Sequence, residues 1–280
     1  MFFGIAVPNF GNCCGSARKL ADLAVDAENS GWDGFFVFDH IQYTFNDPSP
    51  LVDPWIALAA VAVGTKRIRI GPLVTPVARR RPWKLAREAT SIDHLSNGRL
   101  TVGVGLGDPV DVEFQPFGEE AEDKVRGAKL DEGLQILAGL WGGKSFNFHG
   151  KHYQLQNALF LPPPIQHPRV PIWVAGRWPR KAPFIRAARW DGVFPLGLAR
   201  GSRLSPDEVR EVMLFINRRR VGTSPYDVVA TSGEEGRVDS LETLRAYAHA
   251  GATWWLQDLR KWRNTERELV NRIDEGPPRI

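Results

Sequence analysis

The chain has 280 residues, enough for one large α/β domain or two ordinary ones, and at 43% hydrophobic and 24% charged it can bury a substantial core. A formal charge of +4 is too mild to mark a nucleic-acid surface by itself, and no apolar run approaches the roughly 18 residues of a membrane span. The two cysteines, adjacent at Cys13 and Cys14, exclude a disulfide framework and point to a reducing cytoplasm, and the opening MFFGIAVPNFGNCCG lacks the basic start and long apolar core of a signal peptide.

Short apolar runs then alternate with amphipathic stretches. Phe2–Pro8 reads as a strand, followed by a helix from the cap residue Ser16 to Ser30, with Gly31 as its stop. Phe35–Phe38 is the second strand. Asp53-Pro54 opens a helix that runs to Gly64, its proline in the first turn where a missing N–H costs nothing. Ile68–Val74 is the third strand and Pro82–Leu95 a helix closed by Asn97-Gly98. Leu100–Leu106 is the fourth strand, and Asp123–Leu140 a long helix closed by Gly142-Gly143. Residues 143–170 break the rhythm as a hairpin and extended excursion ending in LPPPIQHP. Pro171–Ala175 is the fifth strand, about Pro179–Arg189 a helix, and Gly192–Pro195 the sixth strand. Ser205–Val221 is a helix opened by Ser-Pro-Asp-Glu, Asp227–Ala230 the seventh strand, and Ser240–Ala250 a helix. Thr253–Leu256 is the eighth strand, and the chain is helical from about Arg260 to Gly276.

Eight strand–helix pairs with strands apolar on both faces match an α/β fold of the (β/α)₈ type, usually about 250 residues. The expectation is one TIM-barrel domain over residues 1–280 with an excursion before strand five. A doubly wound sheet is the rival.

In such barrels chemistry sits at the C-terminal ends of the strands. There lie Asp39-His40, Val74-Thr75, Gly105 to Asp108, Ala175-Gly176-Arg177 and Gln257-Asp258. Asp93–Arg99 lies at the opposite end and reads as a helix stop, a turn and a fixed Arg99. Asp39-His40 is the best chemical pair, because a histidine exchanges protons near neutral pH. A packed histidine is the plain alternative, and neighbouring strand residues point to opposite faces, so the two need not act together.

The run GVGLGD, Gly103–Asp108, fails the Gly-x-Gly-x-x-Gly fingerprint in both frames. It reads instead as a cavity wall where missing side chains make room for a flat ring or substrate, with Asp108 or Glu113 at the mouth. His149 and His152 have no carboxylate or cysteine company that marks a metal site. Gly142–Ser145 is no Walker loop, since Ala138 occupies the first glycine position and a helix precedes it. Arg79–Arg81 and Arg218–Arg220 read as solvated helix ends. Trp254-Trp255 either brings an indole to the mouth or packs in the core.

The run from Asp53 to Gly107 closely resembles the bacterial-luciferase-like flavin-dependent oxidoreductases. So do EFQPFG (Glu113–Gly118), PPPIQHPRVPIWVAG (Pro162–Gly176) and ARWDGVFP. The resemblance implies a cofactor at the C-terminal mouth, either reduced FMN working with oxygen as a monooxygenase or the deazaflavin coenzyme F-420 working by hydride transfer. It implies a ring resting on Val74, Thr75, Gly105 and Gly107, and a cofactor phosphate at Ala175, Gly176 and Arg177, where a helix opening at Pro179 adds its positive end. Arg177-Trp178 departs from the small residues the family often carries there. Asp39 and His40 match a pair at the end of strand two in many deazaflavin members, so both are catalytic candidates, with Asp108 and Glu113 as substrate-binding candidates.

Deazaflavin members also often carry a non-prolyl cis peptide, here expected within Gly71–Val74. A small-molecule substrate, a homodimer through outer helices and, for the FMN branch, a separate flavin reductase are further implications. A non-flavin barrel enzyme such as a metal-assisted hydrolase remains the alternative from another class, although few strand ends carry its ligands.

Overall fold

The computed structural model describes residues 1–44, 48–236 and 239–278. In chain order the strands are β1 (Phe2–Val7), β2 (Gly34–Val37), β3 (Arg69–Pro72), β4 (Thr75–Pro76), β5 (Val102–Gly105), β6 (Phe146–His149), β7 (Gln154–Ala158), β8 (Ile172–Arg177), β9 (Gly192–Leu196), β10 (Asp227–Thr231) and β11 (Trp254–Asp258). The helices are α1 (Ala17–Asn29), α2 (Pro54–Gly64), α3 (Pro82–Leu95), α4 (Val110–Glu113), α5 (Asp123–Leu140), α6 (Lys181–Ala187), α7 (Pro206–Asn217), α8 (Leu241–His249) and α9 (Glu266–Asp274).

Local chemistry sets many of these limits. The Asp53 carboxylate takes the N–H groups of Trp55 and Ile56 at the start of α2, and Ser205 and Glu208 form a reciprocal capping box on α7. The turn after α3 carries Asn97 and Gly98 at φ 55° and 78°, a conformation that glycine and asparagine tolerate best. Arg99, just beyond, is fixed by the carbonyls of Ala62, Thr65, Ile68 and Ser96, as its position at the stabilising end of the barrel implies.

The main sheet is parallel in the order β3-β2-β1-β11-β10-β9-β8-β5-β4. Its two ends meet where Ile70 N–H donates to Arg99 O and Thr101 N–H to Ile70 O, so the sheet curls into a barrel with the helices outside. The single strand expected over Ile68–Val74 is two pieces. Arg69–Pro72 pairs with β2, the Leu73–Val74 peptide bond is cis, and Thr75–Pro76 then pairs with β5. The excursion forms the antiparallel hairpin β6–β7, whose turn is held by Glu132 accepting from Lys151, His152 and Tyr153 N–H.

Period-two alternation sorts the side chains between two cores. Phe36, Trp173, Phe194, Val229, Trp254 and Leu256 fill the barrel, while their neighbours pack under the helices. Trp254 and Trp255 are therefore both core residues, one inside the barrel and the other outside against Tyr247. Asp227, first in β10, closes the floor by accepting from Trp173 Nε1 at 3.0 Å and Trp254 Nε1 at 3.1 Å. With the N-terminal end plugged by indoles, space is left at the C-terminal mouth.

Glu28 on α1 joins two layers by accepting from Lys66, Arg67 and Ile68 N–H at 2.6–3.1 Å. Burial works against its charge, but these three donors outweigh it and hold the carboxyl below its ordinary value of 4.5. A depressed folded-state value gives stability that is complete above pH 4.5 and is lost as pH falls through the folded value. Glu28→Gln is expected to lower the urea midpoint near neutral pH and to flatten its acid limb. Parallel acid limbs in the two proteins contradict this.

Candidate active site

A cavity of about 830 Å³ opens at the C-terminal mouth, within the range of about 300–1,000 Å³ usual for small-molecule sites. Asp39, His40, Val74, Gly105, Gly107, Asp108, Glu113, Ala175, Gly176 and Arg177 all line it. Thr75 is fully buried behind the wall.

The chain leaves β2 through Phe38, and the next two side chains part company as opposite faces require. Asp39 turns inward to accept from Thr75 Oγ1 at 2.7 Å, Trp55 Nε1 at 3.1 Å and Arg80 Nη2 at 3.0 Å. Its oxygens are thereby tied to the segments that follow β4 and begin α2. His40 instead meets Glu113, with Nδ1 2.6 Å from Oε1. Phe10, Phe38 and Tyr43 stand edge-on to the imidazole at centroid distances of 5.7, 6.1 and 5.4 Å, which fixes the ring plane.

Glu113 reaches this position because Val110–Glu113 coils into the short α4 after β5. Arg79 binds its Oε2 at 2.8 Å and also its backbone carbonyl. Burial penalises the carboxylate, but the hydrogen bond and charge of His40 and the charge of Arg79 together hold Glu113 below its ordinary 4.5. An ionised carboxylate only accepts hydrogen bonds, so Nδ1 of His40 carries the shared proton. In the neutral imidazole Nε2 is then the acceptor, and it has no hydrogen-bond partner among the described residues. Neither Arg79 nor Arg80 is a solvated helix end; their side chains are only 8% and 17% exposed, and each neutralises a carboxylate of the site.

The glycines of GVGLGD serve the chain's own packing more than an open cradle. A Cβ on Gly103 would meet Pro72 O and one on Gly107 would meet the Phe114 ring, while Gly105 faces Val74 and Ala175 across the cavity wall. Gly176 gives room to Pro183 at the start of α6. That helix begins at Lys181 rather than Pro179 and has seven residues, so the positive end expected beside Gly176 is short and displaced. Arg177 is not free either. It donates to Gly197 O at 3.2 Å, Ala199 O at 3.0 Å and Asp108 Oδ2 at 3.1 Å.

These residues fit a flavin-type group. Phe38, Leu73, Val74, Phe194 and Leu196 give apolar wall, and Lys124, Arg126, Arg177 and Arg180 line the cavity with Asp123, which pairs with Arg126 and Arg180. Arg126 keeps Nε buried without a partner among the described residues. A cofactor phosphate, if held by Arg177, would compete with Asp108 for it. Arg177→Ala is expected to weaken cofactor binding about tenfold, one charge-assisted bond's worth. Asp108→Asn is expected to tighten it, in a fluorescence titration; weaker binding by Asp108→Asn contradicts the competition.

The luciferase-like monooxygenase family matches residues 1–233. An F420-dependent glucose-6-phosphate dehydrogenase of Nakamurella multipartita is 31% identical over 230 residues, 81% of this chain and 61% of that one. The enzyme of the same description from Gordonia bronchialis is 36% identical over 166 residues, 58% of this chain and 48% of its own. The chain thus spans about half to three fifths of the length of these two relatives. The uncharacterized protein Rv0940c of Mycobacterium tuberculosis is 30% identical over 244 residues, 79% of each chain. Among solved structures, an F420-dependent secondary alcohol dehydrogenase in complex with an F420-acetone adduct shares the fold at TM-score 0.77, 17% identity and 98% and 96% coverage of the two chains. Monooxygenase RslO1 from Streptomyces bottropensis does so at TM-score 0.65, 25% identity and coverage of 89% and 78%. The chain belongs to the luciferase-like monooxygenase family.

Proposed function

We propose that this chain is an oxidoreductase that uses the deazaflavin coenzyme F-420 and interconverts a small organic alcohol and its carbonyl form. The observation that carries this reading is the His40–Glu113 pair, a base with a fixed tautomer and an unoccupied Nε2 at the wall of the cavity. The coenzyme, when bound, supplies the hydride acceptor or donor. His40 Nε2 takes the hydroxyl proton in one direction and returns it in the other. Glu113 stabilises the imidazolium that this creates, and Arg79 holds Glu113 in place. Asp39 is a positioning residue that ties Thr75 and Arg80 to the end of β2. Val74, Gly105 and Ala175 would wall the ring of the coenzyme, and Gly176 and Arg177 would hold its phosphate.

Reduced FMN with oxygen, fed by a separate reductase, is the second reading. The family's description and the likeness to RslO1 favour it. Anaerobic reduction of the cofactor by an alcohol supports the first reading, whereas oxygen uptake with reduced FMN supports the second. The metal-assisted alternative gains nothing, as no group of three or more His, Cys, Asp or Glu side chains is placed to hold a metal among the described residues.

The proposed setting is a homodimer in the cytoplasm. α2 is apolar around its circumference and leaves Ile56 and Val63 exposed, as a helix does when its outer face meets another chain. No helix among the described residues is long and apolar enough to cross a membrane.

A further inference from the structure

The His40 side of the cavity carries a second charged cluster that the proton exchange leaves unused. β11 ends at Asp258, and Arg260 folds back onto it. Arg260 N–H donates to Asp258 Oδ1 at 2.9 Å and Nη2 to Oδ2 at 2.7 Å. Nη1 of the same guanidinium lies 3.4 Å from Glu234 Oε1, on the segment after β10, and the Tyr43 hydroxyl donates to that oxygen at 3.4 Å. One face of the guanidinium rests over the Phe38 ring at 4.8 Å, and Phe38 stands edge-on to His40. Phe38, Glu234, Asp258 and Arg260 line the same cavity as His40.

Arg260 lines the same cavity as His40 and is a cation that could attract a phosphorylated substrate, yet two carboxylates already engage it. Between them Asp258 and Glu234 engage the guanidinium; burial pushes the Asp258 carboxyl above its ordinary 3.8, so Glu234, 41% exposed and partly screened by solvent, is the anion that offsets Arg260 toward the cavity. A phosphate ester drawn in here meets Asp258 and Glu234 at the range where like charges repel. Of the other cations near this side, Arg79 is committed to Glu113 and Arg263 lies over the Phe10 and Tyr43 rings, while Arg200 stands at the rim, is 47% exposed and lies 3.9 Å from Asp108. The wall beyond is formed by Ala6, Phe194 and Leu196, which offer a substrate apolar surface. Such a site suits a molecule whose polar group is a single hydroxyl or carbonyl.

We propose that the His40 side of the cavity takes an uncharged hydroxyl- or carbonyl-bearing substrate, and that Glu234, by neutralising Arg260, excludes phosphorylated ones. This rests on the oxidoreductase reading and names the substrate class for that site. Asp258 orients Arg260, and Glu234, 41% exposed on its segment, is the member that can be neutralised with least disturbance to the fold.

The test is calorimetric titration of glucose 6-phosphate and of cyclohexanol into the wild type, Glu234→Gln and the double variant Glu234→Gln/Arg260→Gln, each with and without coenzyme F-420. Glu234→Gln is expected to bind glucose 6-phosphate at least about tenfold more tightly than the wild type, the factor one charge interaction of ordinary size gives. The double variant is expected to lose that gain, and cyclohexanol is expected to bind the wild type and Glu234→Gln alike. Equal or weaker glucose 6-phosphate binding by Glu234→Gln overturns the proposal, and so does a gain that survives removal of Arg260. Coenzyme fluorescence in the same samples reports separately on the underlying reading. Failure of the wild type to bind the coenzyme breaks that reading, whereas a missing gain with coenzyme bound breaks only the substrate assignment.

Discussion

His40→Ala is expected to lower kcat by about 10²–10⁴-fold, the usual contribution of a positioned acid–base group, with coenzyme affinity little changed. The expectation follows from where the imidazole is held. Its Nδ1 is committed to Glu113 at 2.6 Å and three aromatic edges fix its plane, so the ring is held in one orientation. Glu113→Gln tests the same arrangement differently. The amide oxygen still accepts from Nδ1, but the charge that stabilises the imidazolium is gone, so kcat falls while KM changes little. Because Glu113 is held below 4.5, its charge is complete above that pH and is lost only as pH falls through the lower folded value. Steady-state kinetics of both variants across the acid range check this. Wild-type turnover by His40→Ala with coenzyme bound removes the assigned role.

Half of this site was legible in the sequence. His40 and Asp39 follow a strand on the mouth side of a barrel, and the rule that adjacent residues face opposite ways already separated them. The partner of His40 was harder to see. Glu113 lies 73 positions away and arrives through a four-residue helix too short for any periodicity to mark it. A tight basic cluster at a helix end is usually solvated, which is why the sequence hides the part Arg79 and Arg80 play here. The overlooked signal was their position directly after strand three on the mouth side, where Asp39 and Glu113 need cations.

At the fold level, α3 and α5 begin and end where the sequence places them; a first-turn proline marks the start of α3, and Asn-Gly and Gly-Gly mark the two ends. Periodicity did not show the division of strand three, but the cis bond at Leu73–Val74 lies within the Gly71–Val74 span that the family resemblance singles out. For α6, Pro179 suggested a first-turn proline, but in the structure it precedes the helix.

Trp173→Ala carries the largest expected effect on stability, a loss of about 3–5 kcal/mol by urea unfolding. Trp173 is fully buried inside the barrel, against Phe36 at 5.0 Å and Trp254 at 5.4 Å. Truncation leaves a void that closed strands cannot collapse around, and it removes one of the two indole donors to Asp227. Trp173→Phe keeps most of the volume and loses the donor, so a smaller loss is expected. A wild-type midpoint for Trp173→Ala shows that the floor of the barrel is not packed as described. The cavity depends on that floor, because it sets how deep the mouth extends between β2, β5 and β8.

Equilibrium titration of coenzyme F-420 and of FMN against the purified protein, read by fluorescence, decides whether this mouth holds a deazaflavin beside His40. Saturable F-420 binding at micromolar concentration is expected, tighter than FMN, retained in His40→Ala and weakened in Arg177→Ala. Binding of neither compound, or F-420 binding indifferent to Arg177, contradicts it.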